Sequence, residues 1–339
     1  MKAIVYTRYG PPGVLRLEEV DKPMPKVDEV LIKVRATTVT AGDCRVRSLD
    51  VPAGFGLISR LVLGVFGPRQ PILGTELAGE IEATGKDVTR FRVGDQIFAS
   101  SGAGMGCYAE HKIMREDAAI VPKPANLSFE DATAIPFGGA TALAFFRRGD
   151  IRSGDKVLIN GASGGVGTAA VQLAKHFGAD VTGVCSTSNL DLVRSIGAGS
   201  VIDYTREDFT EKDQTYDIIL DTAGTVPFSR AKNSLKRGGR LLQVLAGLPD
   251  MLQIPWVRIT SSKKVIAGTF AVRAEDLRLL AGLAEAGELR PVIDRRYPFE
   301  QMAEAHSYVD RGHKKGNVVV TLQQHGDETG GHAAPGRTV

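Results

Sequence analysis

The stretch Val157-Leu158-Ile159-Asn160-Gly161-Ala162-Ser163-Gly164-Gly165-Val166-Gly167-Thr168-Ala169-Ala170 has the residue types needed to cradle a diphosphate. An apolar run with strand character enters a glycine-rich turn, and the turn opens an apolar-periodic helix. Glycine removes the side chain that would hold a phosphate away from the backbone. A helix start offers unpaired N–H groups, and its dipole favours anions. Ala162-x-Gly164-x-x-Gly167 fits the dinucleotide fingerprint, with Ala162 in the first glycine place. The strand before and the helix after are the context that fingerprint requires. The plain alternative is a tight strand-to-helix turn with no ligand. Ala162, Ser163, Gly164, Gly165 and Val166 are the expected cofactor-binding turn.

Dinucleotide folds choose between NAD and NADP about twenty residues further on. An Asp or Glu ending the second strand bonds the ribose hydroxyls and repels a 2′-phosphate. Here that region reads Val184-Cys185-Ser186-Thr187-Ser188-Asn189, and the first acid, Asp191, already lies in the next helix. Hydroxyls at Ser186 and Thr187 accommodate a phosphate, which favours NADPH. No Lys or Arg stands beside them. Arg194 is either a compensating cation or a solvated surface charge.

These residues need a doubly wound scaffold, and the pattern supplies one. Strand-like runs at Lys156–Asn160, Asp180–Val184, Val201–Ile202, Asp217–Leu220 and Arg240–Val244 alternate with helical runs at Thr168–Phe177 and Leu190–Ile196. That alternation predicts a parallel sheet. Residues 1–125 instead carry short β-branched stretches, such as Val30–Val34 and Glu80–Ala83, cut by Gly and Pro, and read as β-rich. Ser128 is a plausible N-cap where the pattern changes. After a helix at Ala274–Ala286 the chain ends on Gly316–Leu322 and is expected to return to the first domain. The expected division is 1–125 with 271–322, an inserted nucleotide domain at 126–270, and a disordered tail at 323–339, where His325 and His332 are read as solvated. Residues 51–70 form an apolar, Gly-rich insertion that is either a short core helix or a lid over a cleft.

Composition narrows the class. The chain has 339 residues, 43% hydrophobic and 24% charged, with a net charge of +3 and no basic stripe. This is an ordinary globular balance without the footprint of a nucleic-acid binder. No apolar run is long enough for a membrane span. Met1–Tyr6 reads as a first strand and lacks the order of a signal peptide. Three widely spaced cysteines, Cys44, Cys107 and Cys185, fit a reduced, cytoplasmic setting.

Over residues 1–322 the chain resembles the medium-chain dehydrogenase/reductase superfamily. The resemblance is carried by Gly74-Thr75-Glu76-Leu77-Ala78-Gly79, Phe91-Arg92-Val93-Gly94-Asp95, Asn160–Gly167, Val201-Ile202-Asp203-Tyr204, Leu289–Ile293 and Lys315–Val319. It implies a GroES-like β-rich catalytic domain into which a Rossmann domain is inserted. Zinc alcohol dehydrogenases of this superfamily carry His at Thr75, Cys at Thr40, and a four-cysteine lobe where only Cys107 stands. With Glu76 and Asp43 as the remaining candidates, the tetrahedral donor set is incomplete, and no metal is expected.

The resemblance is to the quinone reductase branch, whose Asn-x-x-Asp-x-x-x-Arg motif reads Thr40-x-x-Asp43-x-x-x-Arg47 here. Thr40, Asp43 and Arg47 are the catalytic candidates that follow from it. Thr40 is the better substrate-site residue, and Asp43 with Arg47 reads rather as a structural ion pair. By register, Thr141 is expected near the nicotinamide and Tyr204 at the adenosine 2′-phosphate. Ala246 and Gly247 are expected to end a strand facing the ring, with Phe270 and Asn317 in segments lining the same cleft. Tyr204 also reads as a strand-edge aromatic and Phe270 as core.

Without zinc, an acceptor must already be activated by conjugation. The expected substrate is therefore a small quinone or enone, with the Thr40 hydroxyl or cofactor hydroxyls meeting charge on its oxygen. His111, His176, His306 and His313 read as surface or packing residues. A homodimer follows from the family's habit. An alcohol dehydrogenase and a non-catalytic NADPH-binding redox sensor are the competing functions.

Overall fold

Six parallel strands carry the glycine turn. In sheet order they are Ser200–Asp203, Asp180–Cys185, Lys156–Asn160, Tyr216–Asp221, Leu235–Gln243 and Lys264–Ala267. This is the 3-2-1-4-5-6 order of a doubly wound nucleotide fold. The computed structural model describes residues 1–322; the tail expectation and its two histidines lie outside them. Both faces of the sheet are covered. Val157 and Ile159 bury toward one helix layer and Leu158 toward the other, alternating as strand geometry requires. Each such side chain contributes roughly 1.5–3 kcal/mol by leaving water.

A seven-stranded, mainly antiparallel sheet draws on both ends of the chain. Its strands between Glu29 and Pro122 are joined by Asn317–Thr321, which pairs antiparallel with Glu29–Val39, and by Ile293–Pro298. Residues close to the end of the described chain thus share a sheet with strands from its first 125 residues.

The two parts meet through helices Pro136–Arg148 and Gly165–His176. Close packing there depends on Gly138, where a Cβ would lie 2.5 Å from the Gly165 carbonyl oxygen. Periodicity did not single out Pro136–Arg148, because two glycines interrupt its apolar pattern. Helix Leu248–Thr260 and strand Lys264–Ala267 also went unread; Pro249 and Pro255 disguise the helix. The helix that opens the turn begins at Gly165, three residues before its expected start, because the glycines themselves form its first turn.

The apolar insertion is a helix at Gly56–Leu63 with no buried residue, so it is not a core helix. Leu57, Ile58, Leu61 and Val62 face solvent. Its approach segment, through Val51, Pro52 and Phe55, borders the large cleft described below.

Two of the three catalytic candidates are structural. Thr40 caps helix Ala41–Ser48, and Asp43 closes a capping box: its backbone N–H donates to Thr40 Oγ1 at 3.1 Å, and its Oδ2 accepts from the Thr40 N–H at 2.9 Å. Arg47 does not pair with Asp43. Its guanidinium, 2% exposed, donates to Gly10 O at 3.0 Å, His306 Nδ1 at 3.1 Å and Asp310 Oδ2 at 2.8 Å. It ties the helix to Met302–Asp310. Neither Asp43 nor Arg47 borders the cleft.

Two outcomes test this packing. Gly138→Ala should destabilise by about 1–3 kcal/mol through overpacking, whereas Gly282→Ala, in a helix with open space around it, should be neutral or gain up to about 1 kcal/mol. Urea midpoints of the two variants check this, and equal midpoints would contradict the close contact. His306 is buried beside Arg47, and these two causes, burial first, pull its pKa from 6.5 to about 3. Stability from its neutral form is present above pH 6.5 and is lost as pH falls toward 3. One pH unit is about 1.4 kcal/mol per proton, so acidification to about pH 5 should cost about 2 kcal/mol. His306→Gln should lose less over the same range, measured as the pH dependence of the urea midpoint.

Candidate active site

A cleft of about 1330 Å³ lies between the two sheets. It opens at the carboxyl ends of Lys156–Asn160 and Tyr216–Asp221, where the strand order reverses and ligands bind in such sheets. Those two strand ends are fastened together. Asn160 Nδ2 donates to Asp221 Oδ1 at 2.8 Å and to Thr225 Oγ1 at 2.9 Å. Asp221 also accepts the N–H groups of Ala223, Gly224 and Val226. The fingerprint gave no sign of this network.

The glycine turn forms one wall, and it fits a dinucleotide. Gly164 caps helix Gly165–His176 without any side-chain hydrogen bond, leaving the leading N–H groups facing the cleft. A Cβ on Gly167 would lie 2.1 Å from Gly161 O, so only glycine allows the turn to close this tightly. Ser163, Gly164, Gly165 and Val166 line the cleft. Ala162 does not; it is fully buried behind the turn, its N–H donating to Val184 O at 3.0 Å.

At the far end of the second strand, Ser186 and Tyr204 line the cleft, and Tyr204 is 58% exposed. Buried Asn189 positions two hydroxyl oxygens there, donating to Ser163 Oγ at 3.1 Å and Ser186 Oγ at 3.2 Å. Thr187 is committed elsewhere. Its hydroxyl donates to Asp203 Oδ2 at 2.5 Å and it does not border the cleft. That bond, with others from Thr205 and the nearby Arg206, holds the Asp203 carboxyl below its ordinary range. Arg194 pairs with Asp191 at 3.1 Å on the exposed helix surface, so it is the solvated charge and not a compensating cation.

Thr141, Val244, Leu245, Ala246, Phe270 and Asn317 line the middle of the cleft. Phe270 is held edge-on by Phe145 at 4.8 Å and covered by the Arg148 guanidinium. The strand expected to run to Val244 stops at Gln243. Gly247 lies off the cleft as the N-cap of Leu248–Thr260, its N–H donating to Asp250 Oδ2.

The third region is mostly apolar: Ala41, Gly42, Val46, Val51, Pro52, Phe55 and Phe137, with Thr40 and Arg45. The Thr40 hydroxyl donates to Asp43 Oδ2 at 2.6 Å, so its one proton is already used. Burial raises the Asp43 pKa against the pull of these Thr40 bonds. Arg45 has no carboxylate within 4 Å among the described residues, unlike Arg230, which pairs with Asp208 at 2.6 Å. Arg45 and Lys314 are cleft cations that sequence reasoning missed, because nothing in the spacing marks which way a lone basic residue faces.

The zinc positions do not fit a metal. Glu76 is buried with both oxygens engaged: Oε2 accepts from the Phe137 N–H at 2.6 Å, and Oε1 accepts from the Thr38 hydroxyl. Burial pushes its pKa up to about 8, with Asp43 adding to the shift and the Thr38 and Phe137 hydrogen bonds opposing it. Cys44 turns away toward His306, and burial raises its thiol pKa strongly. Among the described residues, no three His, Cys, Asp or Glu side chains stand close enough to hold an ion.

Comparison with known proteins gives a consistent result. An alcohol dehydrogenase GroES-like domain model matches residues 26–125, and a zinc-binding dehydrogenase model matches residues 196–320. A chloroplastic quinone-oxidoreductase homolog from Spinacia oleracea is 31% identical, over 94% of this chain and 98% of the relative. An NADPH-dependent alkenal/one oxidoreductase from Arabidopsis thaliana is also 31% identical, over 94% of this chain and 79% of that one. Among solved structures, the quinone oxidoreductase from Coxiella burnetii has a TM-score of 0.85 at 29% identity, covering 95% of this chain and 99% of that chain. An NAD-dependent alcohol dehydrogenase has a TM-score of 0.80 at 25% identity, covering 95% and 100%. With its two-sheet architecture, its glycine turn at the switch point and this breadth of similarity, the chain belongs to the medium-chain dehydrogenase/reductase superfamily, in the quinone-oxidoreductase-like branch.

Proposed function

We propose that this oxidoreductase uses NADPH to reduce small quinones or α,β-unsaturated carbonyl compounds, and that it does so without zinc. The observation that carries the reading is the substrate end of the cleft. It is mostly apolar, it lacks a metal donor set, and neither Asp43 nor Glu76 borders it; His313, which the sequence reads as a surface or packing residue, is exposed and lines the cleft beside Lys314. Such a surface suits a flat conjugated acceptor, which needs no Lewis acid to receive hydride.

The cofactor, when bound, supplies the hydride. The chain's own residues bind, orient and exclude water. The bare N–H groups at Gly165 and Val166 hold phosphate, and Thr141, Ala246 and Phe270 confine the middle of the cleft. Val51, Pro52 and Phe55 shield the acceptor. The Arg45 guanidinium, free of a carboxylate partner among the described residues, meets negative charge on the acceptor oxygen in place of Thr40. The proton then comes from solvent. Asn317, whose Nδ2 donates to Val292 O at 3.2 Å, fixes the floor beside the turn.

The rest of the reading is a homodimer in a reducing compartment, the cytoplasm. The outer edge of Lys264–Ala267 has no strand partner among the described residues, and all three cysteines are free and buried. No helix among the described residues is long and apolar enough to cross a membrane.

NADPH preference rests on the neutral end of strand Asp180–Cys185, where Ser186 and Tyr204 stand without an unpaired acid. Losing one charge-assisted hydrogen bond costs roughly 1.5–3 kcal/mol, about ten- to a hundredfold in affinity. Ser186→Asp should weaken NADPH by that factor and spare NADH. Tyr204→Phe should weaken NADPH by up to about tenfold, again sparing NADH. Dissociation constants by fluorescence titration check both, and equal wild-type affinities for the two cofactors would remove the basis of the preference.

The reaction itself is tested by NADPH oxidation with a panel of quinones and enones, set beside oxidation of primary alcohols. Quinone or enone turnover should exceed alcohol turnover by at least about tenfold, the scale of one charge–oxyanion contact, and should persist in chelator. Zinc bound one per chain and needed for turnover would favour an alcohol dehydrogenase. Tight NADPH binding with no turnover of any acceptor would favour a non-catalytic sensor.

A further inference from the structure

Lys314 lies on the loop between helix Met302–Asp310 and strand Asn317–Thr321, and it lines the cleft. That loop is where the antiparallel-sheet side of the molecule touches the glycine turn. The Gly316 N–H donates to Ser163 O at 2.7 Å, and Gly164 and Gly316 form an isolated parallel bridge. A methyl carbon placed on Gly165 would sit 3.2 Å from Lys314 Nζ and 3.0 Å from Asn317 Oδ1. The ammonium therefore stands at the first turn of helix Gly165–His176, among N–H groups that no side chain caps.

Its own hydrogen bonding is incomplete. Nζ donates to Gly316 O, and no carboxylate lies within 4 Å of it among the described residues. The carboxylates whose charge reaches it are both engaged. Glu76 accepts from Thr38 and Phe137, and Asp294 accepts from the Tyr308 hydroxyl and the Lys315 N–H. Desolvation pulls the Lys314 pKa down to about 8, with Glu76 opposing. A cation held in place without a bonded counter-ion, against the positive end of a helix, has an electrostatic reason to be there only if an anion joins it. Arg194, the compensating cation weighed from the sequence, is paired with Asp191, and Arg230, which lines the cleft, is paired with Asp208.

We propose that Lys314 is the counter-charge for the cofactor's pyrophosphate, delivered across the cleft onto the glycine turn by the Gly312–Gly316 loop. This rests on the reading that a dinucleotide binds the turn. It adds that affinity for the shared diphosphate is set from the opposite side of the cleft, separately from the Ser186 and Tyr204 end that chooses between the two cofactors.

Four ligands separate the subsites: NADPH, NADH, ADP-ribose and adenosine 2′-phosphate. The first three carry a pyrophosphate and the last does not. In calorimetric titrations, Lys314→Met should weaken all three pyrophosphate ligands by a similar factor, about ten- to a hundredfold. Adenosine 2′-phosphate should stay within about twofold, and Lys314→Arg should recover most of the loss because it restores the charge. Lys314→Gln serves as a second neutral variant, and thermal unfolding confirms that each protein is folded. ADP-ribose binding to folded Lys314→Met or Lys314→Gln as tightly as to the wild type would overturn the assignment, and so would a loss confined to NADPH. A wild-type protein that binds none of the pyrophosphate ligands would defeat the cofactor reading itself, an outcome distinct from unchanged affinity in the variants.

Discussion

The backbone of the Gly161–Gly167 turn and the strand end before it is gripped from three sides, twice by backbone and once by a hydroxyl, and the rest of the molecule is arranged around that grip. Gly138 brings helix Pro136–Arg148 against the Gly165 carbonyl. Gly316 donates to Ser163 O from the opposite sheet. Thr222 Oγ1 holds Asn160 O and thereby the exit of the first strand. Side chains at Gly138 or Gly167 would force these segments apart by more than packing tolerates. Because the contacts come from segments far apart in sequence, the turn closes its shape only when both sheets are in place.

That arrangement divides the cleft electrostatically. The wall formed by the glycine turn has uncapped N–H groups and the Lys314 ammonium. At the rim by Ser186 and Tyr204 each nearby acid is paired: Asp203 is held by Thr187, Thr205 and Arg206, and Glu207 and Asp208, which also line the cleft, pair with Lys212 and Arg230. The end around Val46 and Phe137 is mostly apolar, with Thr40 and Arg45 as its main polar residues. Stronger polar clusters stand just behind these surfaces. Arg47, His306 and Asp310 fasten two helices, and Glu76 fastens strand Glu76–Thr84 to the start of Pro136–Arg148. Buried charge of this kind costs stability unless it is paired or hydrogen-bonded. Here the bonds fix elements that border the cleft without reaching it.

The apolar helix Gly56–Leu63 shows the same division of labour on a smaller scale. Its outward face is bare, while the segment leading into it closes one flank of the cleft and lies against the start of Leu248–Thr260, where the Leu248 N–H donates to Ala53 O at 2.8 Å. The segment therefore spans from the antiparallel-sheet side to the nucleotide fold at the rim of the substrate end. Composition could show that it was apolar, but not which of its faces would find a partner.

Local pattern was enough to reveal the parallel sheet, the glycine turn and the acid-free end of the second strand. Each of these is a property of consecutive residues: period-two burial, glycine spacing, or the absence of an acid at a fixed offset. The motif carried by resemblance was sound as a marker of the family, yet it left the placement of its side chains open. The spacing of Asp43 and Arg47 says nothing of where either side chain turns, and folding turned Asp43 to its own helix cap and Arg47 to His306 and Asp310. Thr40 reached the cleft with its proton already given away. Lys314 became a cleft residue through a return strand that pairs more than 270 residues after its partner begins. A side chain's chemistry is written in the sequence, but its direction and its hydrogen-bond partners depend on contacts between distant segments, and those exist only in the folded chain.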